Sequence, residues 1–138
     1  MVRKKFHIIL SILFATLFLV GCQKAPINGD LDGRWQIVTI EKDKESIDVK
    51  DEQLYYNFYL HVCNLSFYGG VLTEGNFIYK DSKIYMEFPY INTQEGMAEL
   101  ESYGIYSNPV EFEIVKLDRK TLIIKEEDDN LVITLRKF

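Results

Sequence analysis

The residues of this 138-residue chain that could do covalent or acid–base chemistry are few: two cysteines, two histidines and some clustered carboxylates. Nucleophilic catalysis needs a Ser or Cys beside a base. Beyond the N-terminal apolar run, His61 is the sole histidine, and Cys63 stands two residues away. On one strand that spacing is about 7 Å, too far for direct activation. Both therefore read as packed strand residues. A zinc site would need two further ligands, and no spacing offers them. Glu126-Glu127-Asp128-Asp129 lacks the alternating acids and glycine of a calcium loop. It reads as a solvated turn. Glu111 and Glu113 alternate with Phe112 and Ile114, ordinary outward patterning on a strand. Gly69-Gly70 is a turn rather than a phosphate cradle, because no helix start follows it. The sequence predicts no catalytic residue, no metal and no cofactor.

Cys22 is different, because four elements precede or include it in order. Arg3, Lys4 and Lys5 form a positive start, and an apolar run extends from Phe6 to Val20. That run is about 15 residues, short of the roughly 20 that span a bilayer as a helix. Leu19-Val20-Gly21-Cys22 then resembles the lipobox of bacterial lipoprotein precursors. The resemblance implies a signal peptide over residues 1–21, cleavage before Cys22, diacylglycerol on its thiol and an acyl chain on its new amine. Several chains at ~0.8 kcal/mol per buried CH₂ make a firm anchor, where one gives only reversible binding. Gln23 follows, not the Asp that retains such proteins at the inner membrane, and no acid-rich stretch comes next. Both features imply the outer membrane and a periplasm-facing domain.

Removing residues 1–21 takes three bases and no acid, moving the formal net charge from −5 to −8. Such a balance argues against a nucleic-acid partner. It also argues against peripheral binding to anionic lipid, leaving attachment to the acyl chains. With Cys22 acylated, Cys63 has no disulfide partner within the chain.

These residues must be positioned by strands, since all nine tyrosines and Trp35 follow residue 22 and β-branched residues surround them. Residues 22–32 read as a lipidated tether and 33–138 as one domain. Strands are expected at 35–40, 54–67, 71–79, 83–88, 110–117, 122–126 and 131–137, with a shorter one at 46–49. The 54–67 run alternates Leu54, Tyr56, Phe58, Leu60 and Val62 on one face. Fourteen residues is long for one strand, so a bend or bulge is expected. Asn92-Thr-Gln-Glu95 has a capping-box shape, with Asn at the cap. It predicts one short helix over about 93–103, with Gly104 after its end. Short connections make the strands antiparallel neighbours. The fold class is all-β: an antiparallel up-and-down barrel of seven to eight strands, which leaves no open edge.

Gly33-Arg-Trp35 resembles the Gly-x-Trp signature that opens the first strand of lipocalins and related calycin barrels. The resemblance implies that Trp35 closes one barrel end and that a base from the last strand lies across its ring. Arg136 and Lys137 are both available. Guanidinium stacking favours Arg136, whereas strand parity with Leu131, Ile133 and Leu135 favours Lys137. Arg136 is the expectation carried forward. More broadly, the chain is similar to small lipocalin-like lipoproteins of Gram-negative gut bacteria. The shared features are the lipobox, Gly-x-Trp, the Tyr-Tyr-x-Phe of 55–58, the Tyr-Gly-Ile of 103–105 and the closing Leu-Arg-Lys-Phe strand.

Two functions follow as expectations. In the first, Tyr56, Phe58, Tyr59, Tyr79 and Tyr85 hold a small hydrophobic or aromatic ligand in the barrel. In the second, those aromatics fill the core, and loops 41–53 and 89–108 contact an envelope protein partner. An eight-stranded barrel leaves room for side chains or for one small ligand, so either is feasible.

Overall fold

The computed structural model describes residues 27–128 and 130–138. Residues 1–26, which include the expected signal peptide and Cys22, lie outside the described residues, as does Asp129. Nine strands form one antiparallel sheet: β1 (Gly33–Lys42), β2 (Glu45–Asp48), β3 (Tyr55–Tyr59), β4 (Val62–Phe67), β5 (Gly70–Lys80), β6 (Lys83–Glu87), β7 (Val110–Leu117), β8 (Thr121–Lys125) and β9 (Leu131–Lys137). Helix α1 (Gln94–Glu101) sits between β6 and β7. β9 pairs with β1 and closes the sheet, so eight strands make an up-and-down barrel. β2 is the ninth strand. It pairs only with the second half of β1, whose first half pairs with β3.

Closure gives each barrel strand a partner on both sides, and a free edge falls on the four-residue β2. A register shift between Ile37 and Thr39 bends β1 at the point where its neighbour changes from β3 to β2. Inward alternation is clean: Tyr56 and Phe58, Ile84 and Met86, Leu122 and Ile124, and Leu131, Ile133 and Leu135 are all buried.

The segment expected as one bent strand over 54–67 is two strands, β3 and β4, joined by a tight hairpin at Leu60-His61. Leu60 adopts φ +55° there. The turn carries no Gly, Pro or Asn, the residues that usually mark such a reversal.

The two barrel ends are closed differently. At the base, a 3₁₀ turn, Gly29–Leu31, precedes β1 and inserts the fully buried Leu31. The Trp35 indole N–H donates to the Leu31 carbonyl at 2.7 Å. Asn28 donates its side-chain amide to Asp32 at 2.6 Å and to the Leu60 carbonyl at 2.9 Å. The packed domain therefore begins a few residues before Gly33, and the last part of the expected tether belongs to it.

At the opposite end α1 and the turn after it act as the lid. The helix is capped by Thr93, whose hydroxyl accepts from the Gly96 N–H at 3.1 Å, not by Asn92. Leu100, Tyr103 and Ile105 are buried against the barrel. Gly104 has φ +78°, and a Cβ there would meet Ile133 Cδ1 at 2.6 Å. Asn108 ties the loop down by accepting from Phe88 N–H and donating to the Phe88 and Ile91 carbonyls.

Candidate functional site

The five aromatics expected to share a pocket do not converge. Tyr56 and Phe58 face inward and are sealed in the core, at 0% and 1% exposure. Their rings meet edge to face, and Phe58 packs in the same way on Phe77. Tyr56 donates its hydroxyl to the Tyr103 carbonyl at 2.6 Å, so its polar handle is already used. Burial raises its pKa well above the ordinary tyrosine value. Tyr59 is an outward residue beside the β3–β4 hairpin, 68% exposed. Tyr85 also faces outward, beside Ile78 and Glu111 on the neighbouring strands. Tyr79 reaches a groove at the base of the barrel, whereas Tyr85 lines a separate, smaller hollow with Ile78 and Lys83.

The interior itself is filled by large side chains: Trp35, Tyr56, Phe58, Phe112, Ile84 and Met86 are all essentially inaccessible. Polar groups do not gather among them. Cys63 faces Met86, with the sulfurs 3.6 Å apart. Desolvation pushes its thiol far above the usual range. His61 sits exposed at the hairpin tip while Cys63 is buried. They therefore do not form a nucleophile–base pair, as their spacing on one strand suggested. Among the described residues no three acids, histidines or cysteines are grouped to hold a metal ion.

The concavity at the base is an open groove of about 740 Å³. One wall is the incoming chain, Ile27 to Asp30. The other is the end of β5 and of β7: Tyr79, Ser82, Ile114 and Leu117. The sequence signal for it was weak, since Tyr79 continues the inward alternation of Phe77 but lies one step past the core. A flat or apolar body could rest on the Tyr79 ring and the aliphatic wall, and backbone groups of the 3₁₀ turn could meet a polar end.

Closure of the base corrects one expectation. Lys137, not Arg136, lies over Trp35, with Nζ 4.4 Å from the ring centroid. The same ammonium donates to the carbonyl oxygens of Asp30, at 2.8 Å, and Asp32. Parity decides the matter: Lys137 shares the inward face of Leu131, Ile133 and Leu135, and its Cα partner is Trp35 itself. Arg136 points to the other face, where Nε donates to the Gln36 side chain at 2.8 Å.

A family model described as a lipocalin-like domain matches residues 16–138. No curated protein matches the chain. Among solved structures, a lipocalin-like protein from Bacteroides uniformis is 22% identical, with a TM-score of 0.65 over 80% of this chain and 100% of that one. An uncharacterised protein from Bacteroides eggerthii is 16% identical, with a TM-score of 0.59 over 78% of this chain and 98% of that one. These likenesses show the fold. The closed eight-stranded barrel, the Gly-x-Trp start and the match over nearly the whole chain together place this protein in the lipocalin-like domain family.

Proposed function

We propose that the chain is an envelope lipoprotein, anchored through lipid on Cys22 and facing the periplasm from the outer membrane, whose barrel binds a small hydrophobic or aromatic ligand without catalysis. The lipocalin-like barrel is a fold suited to small-ligand binding. The observation that carries the reading is the base groove, where Tyr79, Ile114 and Leu117 are left accessible while the interior is packed. Binding is therefore assigned to the groove at the base of the barrel. Native mass spectrometry of protein purified from its own host tests this. A bound small molecule that is lost on Tyr79→Ala supports it, and a chain that is always empty contradicts it.

A second reading has its own support. The packed interior leaves the loops as the other surface for binding, and they expose large apolar groups: Ile47 is 60% and Tyr90 75% exposed. Both lie in segments 41–53 and 89–108, flanked by acids such as Glu45, Asp51 and Glu95. That surface suits a basic envelope protein or host enzyme. Crosslinking in intact envelopes through position 90 tests it, and the absence of any stoichiometric adduct counts against it.

A further inference from the structure

The fold sorts the charges of an acidic chain by end. The three hairpin tips at residues 60–61, 81–82 and 118–120 and the chain entry at Ile27 all lie at the base, because consecutive strands alternate direction around the barrel. Two of those tips are basic. Lys80, Lys83, Lys116, Arg119 and Lys120 are exposed there against two aspartates, Asp81 and Asp118. Lys83 pairs with Glu111 at 3.1 Å, and Lys116 reaches Asp118 at 3.7 Å. Lys80, Arg119 and Lys120 have no carboxylate within ion-pair distance among the described residues. The opposite end carries Glu95, Glu99 and Glu101 on or beside α1 and Glu126, Glu127 and Asp128 in the β8–β9 turn. The net charge of −8 that argues against anionic lipid is an average over these two ends.

The base also exposes apolar groups between its bases. Ile27 is 59%, Tyr59 68%, Leu60 46% and Val115 55% exposed. A headgroup layer accepts the aromatic and the leucine that stand at this hairpin tip. The chain leaves Cys22 five residues before Ile27, a fully extended reach of at most ~18 Å. With lipid on Cys22, the base is the end that stays within a short distance of the bilayer.

We propose that the base of the barrel is a docking face for an anionic lipid surface, namely the bilayer that holds the acyl chains, so that the domain stands on the membrane with its acidic lid pointing away. The proposal rests on the anchoring reading above. Lys80, Arg119 and Lys120 contact phosphate groups, and Tyr59 and Leu60 enter the headgroup region. A base near an anionic surface contributes about fivefold in partitioning, so reversing three of them shifts the docked state by about 100-fold or more.

The test uses the full chain matured in a lipoprotein-processing bacterium, purified and reconstituted into vesicles of phosphatidylglycerol and phosphatidylethanolamine. An environment-sensitive fluorophore is placed by Leu60→Cys or, at the far end, by Glu127→Cys, since the buried Cys63 is protected from labelling in the folded chain. Headgroup-attached spin labels are expected to quench position 60 strongly and position 127 weakly. The triple variant Lys80→Glu, Arg119→Glu, Lys120→Glu and vesicles of pure phosphatidylcholine are each expected to reduce that difference sharply, to what the tether alone imposes. Equal quenching at both positions, or a difference indifferent to charge, overturns the docking face. Intact mass of the same sample separates the two claims. An acylated chain with undocked labels sinks the docking face alone, and an unacylated chain sinks the anchoring reading together with it.

Discussion

Lys137 and Trp35 are Cα partners across the β1–β9 seam, and the lysine ammonium sits over the indole while bonding two carbonyls of the chain segment that enters the barrel. One side chain thus ties the last strand, the first strand and the 3₁₀ turn together. Desolvation lowers its pKa, an effect set against the field of Asp30 and Asp32. Removing the ammonium should leave those carbonyls without their donor. Lys137→Met is expected to destabilise by about 2 kcal/mol in denaturant unfolding, from the lost cation–π contact and hydrogen bonds. Arg136→Met, which loses one bond to Gln36, should cost about half as much. Equal costs would contradict the assignment.

Tyr56 and Tyr103 link the barrel wall to the lid. Tyr56→Phe keeps the ring and removes the donor to a buried carbonyl. The expected loss is about 1–3 kcal/mol, because an unsatisfied buried acceptor bears its full desolvation cost. Hydrogen exchange should show the loss first in α1 and the 102–105 turn. Tyr103 itself, whose hydroxyl is pushed up to about 12, should remain protonated through alkaline titration to pH 10.

Gly104 is required twice over, by its φ of +78° and by the 2.6 Å approach to Ile133. Gly104→Ala should destabilise by about 1–3 kcal/mol, measured by thermal unfolding. Gly29→Ala shares the positive φ but has open space at its Cβ, so only the backbone penalty should appear.

These positions show how much the sequence disclosed. Strand alternation, Gly-x-Trp and the short connections were enough to read an all-β barrel with one helix, because period-two burial is written directly in residue order. The Leu60-His61 turn was hidden, since it uses neither Gly, Pro nor Asn and its flanks alternate as one strand would. Lys137 was legible by parity and obscured by the chemical appeal of guanidinium on indole. The tyrosines were the hardest to read: composition does not tell an inward Tyr56 from an outward Tyr59, and three residues of separation change the face. Charge was misleading in sum, because only the topology assigns Lys80 and Glu99 to opposite ends.

Glu126 gives a pH signature. Burial raises its pKa, with the Asp128 charge adding to the effect. A carboxylate with a raised folded pKa weakens the fold above that pKa, and the penalty vanishes once pH falls below the ordinary value of 4.5. Glu126→Gln should therefore raise Tm at pH 7 and leave it unchanged near pH 4 or below. A rise of equal size at both pH values would assign the effect to packing instead.

Anchoring of the barrel through Cys22 is read out by intact mass spectrometry of the mature protein from its own host. The predicted result is a chain that begins at Cys22 and carries the added mass of a diacylglyceryl group and an amide-linked acyl chain, removed entirely by Cys22→Ser. A mature chain cut at another position, or one beginning at Cys22 with an unmodified thiol and amine, would contradict it.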